Sequence, residues 1–287
     1  MAHCFLMKRV LLIVVVLALI GGGAYWLLRD TSRKIPHTPP AAAPQVGSCW
    51  KVDAAGAKAA FPWPGGAVDC AAAHTTEVFH VGQVGDDLLH RLDSATGEDV
   101  KLTQNLVYAQ ARRACVVQGT AFLGGNWHES KVQILASWVA PAADGFFACA
   151  VAAVTGPAGD EFATREGSLS KAGPSLPIGC ISALKYVDCT APHDGEYSGS
   201  YSIAPMDAPF DETAVRNAST KGCTGVGLRY LGLSETADRS DLSAAAVGPK
   251  NGSDWLGSDQ TFACYLVSSR PLKASIAKIG TGPLPFA

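Results

Sequence analysis

The sequence predicts an α+β protein. An N-terminal transmembrane helix precedes two homologous small disulfide-stapled domains, each an antiparallel sheet with one main helix. Three observations carry this reading. Eight of the nine cysteines fall into two copies of one pattern: Cys49, Cys70, Cys115, Cys149, then Cys180, Cys189, Cys223, Cys264. The second cysteine of each copy opens the same phrase, Asp69-Cys70-x-x-x-His74-x-x-Glu77 and Asp188-Cys189-x-x-x-His193-x-x-Glu196. A charge-free run from Val10 to Leu28 lies ahead of both copies.

The duplication extends past the cysteines. Leu123-Gly124 and Leu231-Gly232 follow the third cysteine of each copy at the same distance. Phe147-Ala148-Cys149 and Phe262-Ala263-Cys264 close the copies, with Trp138 and Trp255 upstream and Gly47 and Gly179 ahead of the first cysteines. The period is too long for a solenoid, so each copy reads as a small domain. A length of 287 residues also suits about two domains.

Residues 1–9 read as a cytoplasmic tail and 10–28 as the membrane helix. Nineteen residues make a helix about 28 Å long, close to the hydrocarbon thickness of a bilayer. Tyr25 and Trp26 stand at its end, where amphipathic rings favour the interface. The run is longer than a signal-peptide core and ends in bulky residues, which favours an anchor over a cleaved signal. Flanking charge does not orient it, because Lys8 and Arg9 precede it while Arg29, Arg33 and Lys34 follow. The cysteines do, since disulfides persist outside the cytoplasm. The N-terminus is expected inside and the bulk of the chain extracytoplasmic. Cys4 reads as an unrelated thiol.

Residues 29–46 form a Pro/Ala linker, a semi-rigid spacer. The first domain is expected over 47–156, a second linker over 157–177, the second domain over 178–270 and a loosely held tail over 271–287. In the second domain the short spacing of Cys180 and Cys189 around Ile181 and Tyr186-Val187 predicts a tight hairpin. The first domain has a longer extended loop there, through Phe61-Pro62-Trp63-Pro64. Strands follow the His/Glu phrase. A helix carries the third cysteine, with Leu102, Leu106, Ala109, Arg113 and Val116 stepping by three and four in the first copy. Asp211-Glu212-Thr213 starts its counterpart, and Gly222, Gly225 and Gly227 predict a shorter helix. Strands end each copy, giving an antiparallel sheet with one main helix against it.

Small exported domains bury limited core and use disulfides as staples. Four cysteines allow three connectivities. The preferred one joins first to second and third to fourth: a cross-strand link, then a helix pinned to the final strand. Cys70, His74 and Glu77 offer an alternative zinc set, but no Cys-x-x-Cys pair supports it and oxidised cysteines are not ligands. No metal or other cofactor is therefore expected. His74, Glu77, His193 and Glu196 are candidate structural or ligand residues, an imidazole held beside the disulfide with the glutamate fixing its tautomer.

No nucleophile elbow, phosphate loop or HExxH motif is present, so no catalytic residue is assigned. The Ser-x-x-Lys matches at Ser168 to Lys171 and Ser182 to Lys185 lack a Lys-Thr-Gly companion and read as chance. The net charge is −2, but residues 1–46 hold five cations against one anion, leaving −6 on the remainder. An acidic body without a basic stripe excludes nucleic-acid binding.

The Gly-x-Cys, Cys-x-x-x-His-x-x-Glu, Cys, Trp, Cys order resembles the septum-formation family of actinobacterial envelope proteins. In the first copy the matching residues are Gly47, Cys49, Cys70, His74, Glu77, Cys115, Trp138 and Cys149; Gly179 to Cys264 repeat the order as a second tandem copy. The second copy has Tyr197-Ser198 where the first has Val78-Phe79. The resemblance implies a membrane-anchored, non-enzymatic module of the envelope, linked to septum formation or wall maintenance. Its implied partners are the cytoplasmic membrane and envelope or divisome proteins or the wall. The rival expectations are an envelope hydrolase using the His/Glu pairs and a metal-binding sensor.

Overall fold

Each half of the chain folds into a five-stranded antiparallel sheet with one long helix on its face. The computed structural model describes residues 43–58, 61, 63–138, 145–203, 209–257 and 260–287. The expected tail, anchor and most of the first linker lie outside the described residues, as does Cys4. Among those described, no helix is long and apolar enough to cross a membrane.

The first half runs β1 (Cys49–Trp50), β2 (Ala67–Val68), β3 (Thr76–Gln83), α1 (Asp86–Ser94), α2 (Glu98–Leu123), β4 (Val132–Trp138) and β5 (Phe146–Ala153). The second runs β6 (Cys180–Ser182), β7 (Lys185–Val187), β8 (His193–Ser202), α3 (Glu212–Tyr230), β9 (Leu242–Val247), α4 (Gly252–Gly257) and β10 (Thr261–Leu272). The sheet orders are β2-β1-β3-β5-β4 and β7-β6-β8-β10-β9, the same topology twice. Register repeats too: Cys49 opposes Glu77, and Cys180 opposes Glu196. Both sheets carry a one-residue irregularity at the equivalent place, which skips Phe79 in β3 and Ser198 in β8. Such a bulge turns a side chain out of the alternation. Phe79 uses it to stack on Phe122 at 5.3 Å, whereas Ser198 donates to the Cys264 carbonyl.

The helices meet the sheets through rows at every fourth residue. In α2 the buried row is Thr103, Val107, Ala111, Cys115, Gly119 and Leu123. Of the stripe expected from Leu102, Ala109 and Val116 are buried, but Leu102 is 49% exposed, Arg113 is exposed, and Cys115 lies at the centre of the contact. In α3 the row is Val215, Ser219, Cys223, Gly227 and then Leu231. The two glycines allow close approach. A Cβ on Gly119 would stand 2.5 Å from Ile134 Cδ1, and one on Gly227 would stand 2.5 Å from Leu266 Cδ2. Gly227 is thus an interior packing position rather than a helix end, although α3 is shorter than α2. Gly124 and Gly232, both at positive φ, stand just past the two helices, where left-handed backbone is needed.

The first sheet is covered on both faces. Opposite α2, the loop after β1 brings Phe61 and Trp63 onto Trp50, with ring centroids 5.1 to 5.8 Å apart. Every residue of β5 is accordingly buried. The hairpin expected around Cys180 is β6–β7, turned by Ala183 and Leu184 at φ 47° and 63°. That places two non-glycine residues in the region a two-residue hairpin requires.

Residues 157–177 and 271–287, read from composition as a linker and a loose tail, pack as equivalent straps. Arg165 pairs with His74, and Leu272 with His193. Leu169 and Ile276 are fully buried, and both are followed two residues later by a lysine at positive φ. The Lys171 and Lys278 amides donate to the carbonyls of Phe122 and Tyr230 at the helix ends. Each half is therefore longer than its last cysteine suggests. The halves also touch directly: Arg113 Nε donates to the Leu256 carbonyl, and the Tyr186 amide to that of Thr155. Both belong to one compact unit.

Candidate functional site

The repeated phrase folds into a knot at the end of each sheet. The aspartate comes first. Asp69 Oδ1 accepts from the Ala71 amide, and Asp188 Oδ1 from the Thr190 amide, both at 2.9 Å. Each second cysteine sits inside this tight turn, directly after the aspartate. The Thr190 backbone and hydroxyl donors hold the Asp188 carboxyl below the usual carboxylate range. The cysteine then staples the turn to the first strand. The four bonds are Cys49–Cys70, Cys115–Cys149, Cys180–Cys189 and Cys223–Cys264. First joins second in each half, and the helix cysteine joins the strand β5 or β10.

The histidine closes the turn. His74 Nδ1 lies 2.8 Å from the Ala72 carbonyl and His193 Nδ1 lies 2.8 Å from the Ala191 carbonyl. A carbonyl only accepts, so Nδ1 carries the hydrogen in both. Both imidazoles are buried, as are Glu77 and Glu196. In the second half His193 Nε2 reaches Glu196 Oε1 at 3.0 Å. The first half has no such bond, and His74 Nε2 is buried without a partner.

The glutamates receive the straps. Glu77 accepts from Ser168 Oγ and the Leu169 amide, each at 2.6 Å. Glu196 accepts from Ser275 Oγ and the Ile276 amide, each at 2.9 Å, and also from Tyr230 Oη at 2.6 Å. Tyr230 occupies the position of Phe122, which has no hydroxyl. That substitution and the missing histidine contact leave Glu77 with fewer donors than Glu196. Burial and the bond to Glu196 push the Tyr230 hydroxyl up to about 12.

The serines were legible in the sequence. Ser168-Leu169-Ser170-Lys171-Ala172-Gly173 and Ser275-Ile276-Ala277-Lys278-Ile279-Gly280 are one phrase repeated. The Ser168–Lys171 match is therefore half of a repeat rather than chance, and Ser275 to Lys278 is its partner. The match at Ser182 has no counterpart of this kind.

Among the described residues, two groups have metal-ligand geometry: Cys49, Cys70 and Glu77, and Cys180, His193 and Glu196, with ligand atoms within 4.8 Å. His74 is not in the first group, unlike the expected zinc set. The three cysteines of these groups would have to be thiolates, and all three are in disulfides. The donor set as it stands does not fit a zinc ion.

These knots define a class: a disulfide-stapled α+β module of two halves with one topology, whose repeated polar motif ties a strap to a sheet. The chain belongs to the septum-formation family, whose model, described as "Septum formation", matches residues 46–264 in a single span across both halves. That description points to a role in cell division or the envelope. No curated protein and no solved structure matches the chain.

Proposed function

We propose that the protein is a membrane-anchored, extracytoplasmic binding or scaffold protein of the cell envelope, non-enzymatic, and acting in septum formation or wall maintenance. Its halves are tandem copies of one ancestral unit, and its source is an actinobacterium. One observation carries the non-enzymatic reading. Both oxygens of Glu196 and both nitrogens of His193 are engaged by the fold itself. With the pair at most 1% exposed, no atom is left for a substrate. Four disulfides support the oxidising compartment, and the charge-free run over 10–28 supports the anchor. The partners expected are the membrane and wall or division proteins.

External protease added to intact spheroplasts tests the topology. The body should be degraded or nicked while an N-terminal epitope survives; the reverse pattern overturns the reading. For the enzyme alternative, His74 and His193 are replaced together by Gln. A folded double variant that loses turnover of an envelope substrate would establish a hydrolase instead.

A further inference from the structure

A cleft of about 440 Å³ lies between the halves, within the range of small-ligand sites. Its first wall is the outer strand β4 with Arg112 and Trp127; its second is the sheet face of Ala263 and Tyr265, with Tyr186, Lys250 and Asp254 at its margins. We propose that this cleft binds a short acidic oligosaccharide. The proposal deepens the envelope reading above and rests on it.

The lining chemistry selects the ligand. Arg112 lies over the Trp127 ring, 5.7 Å from its centroid, and His128 stacks against the same ring at 3.8 Å. Tyr186 and Tyr265 face each other hydroxyl to hydroxyl at 3.4 Å. Tyr265 is buried behind the wall, so the ring surface open to the cleft belongs to half-buried Trp127 and Tyr186, and it suits the C–H face of a pyranose. Between them stand groups that hydrogen-bond. Asp254 takes one bond from Asn251 Nδ2 at 2.9 Å, which leaves acceptor capacity for hydroxyls. Lys250 is an exposed cation on the same margin. A purely apolar ligand would strand these polar groups.

Two cations, Arg112 and Lys250, face the single carboxylate of Asp254 among the lining side chains. A ligand carrying one carboxylate balances them, and Lys250 is the group placed to meet it. A peptide fits less well. It would add to the open edge of β4, but Arg112 Nη1 already donates to the Ile134 carbonyl there. Nucleic acid conflicts with the acidic body and with Asp254.

The test is calorimetric titration of the detergent-solubilised full chain with the N-acetylglucosamine–N-acetylmuramic acid disaccharide, beside neutral chitobiose and an acidic tripeptide. The acidic disaccharide should saturate, with chitobiose weaker by about tenfold or more, the effect of one charge-assisted hydrogen bond. Lys250→Ala should remove that preference, and Trp127→Phe should weaken both sugars by about tenfold. Lys250 is exposed, so its variant keeps the question open to refutation if Trp127→Phe misfolds. No saturation by the disaccharide at about 10 mM overturns the proposal. So do equal binding of both sugars, binding unchanged by Lys250→Ala, or binding of the tripeptide alone. A chain that protease places in the envelope but that binds no acidic sugar sinks the cleft reading alone. A cytoplasmic chain that binds it sinks the envelope reading alone.

Discussion

Replacing Glu196 by alanine tests the knot most directly. The carboxylate gathers four polar partners: His193 Nε2, the Ile276 amide, Tyr230 Oη and Ser275 Oγ. Two of these cannot turn to solvent, because His193 and Ile276 are fully buried. Each dry, unpaired polar group costs about 1–3 kcal/mol, while Tyr230 and Ser275 recover part of their loss from water. The total is on the order of 4 kcal/mol, a large share of ordinary net stability. Glu77→Ala strands only the Leu169 amide, since Ser168 is exposed, and should cost about half as much. At about 2–4 °C per kcal/mol, the Glu196 variant should melt roughly 8–16 °C lower, and the Glu77 variant roughly half that. Limited proteolysis under native conditions should release the strap after β10 first. The reasoning fails if the two variants lose equal stability, or if Glu196→Ala shifts the midpoint by less than about 3 °C.

Gly119→Ala should destabilise by about 1–3 kcal/mol despite the better helix propensity of alanine, since the new methyl meets Ile134 and Phe79; a more stable variant in urea denaturation contradicts the close approach. Loop-entropy arithmetic gives about 4 kcal/mol for the Cys223–Cys264 bond, 41 residues apart, and about 2.5 for Cys180–Cys189, 9 apart, so the paired serine variants should rank in that order by denaturant midpoint. Cys189→Ser should also raise protease sensitivity of the second half well above that of Ser182→Ala, and equal digestion rates would defeat the assignment. Tyr197 and Tyr230 are pushed up to about 12 chiefly by burial. Their neutral forms are favoured in the folded state, so the stability they contribute is whole below about pH 10 and is lost as pH rises towards 12. Melting midpoints should fall across that window less steeply in a Tyr197→Phe, Tyr230→Phe double variant; parallel curves would refute the linkage.

The repeated cysteine pattern, the staples' residues and the α+β class were legible in the sequence alone, because cysteines and short polar phrases recur at fixed order whatever the backbone does between them. Helix and strand order followed from local pattern. The buried face of α2 was only partly legible: Ala109 and Val116 of the expected stripe are buried, but Leu102 is exposed and the main contact runs along Thr103, Val107, Ala111 and Cys115. The disulfide to β5 and the close approach at Gly119 fix that face, and neither acts through local periodicity. The straps were hidden for the same reason. Pro, Gly and Ser over 157–177 and 271–287 read as linker and tail, yet Leu169 and Ile276 are buried because a distant glutamate holds their amides. Only the tertiary structure decided what the His/Glu phrase does. Sequence spacing sets His193 three residues before Glu196, but the hydroxyl of Tyr230 and the strap of Ser275 complete the site from 34 and 79 residues away. It also decided that the two phrases differ. With phenylalanine at position 122, the first copy lacks the hydroxyl that Tyr230 gives the second, and its histidine keeps one nitrogen unpaired.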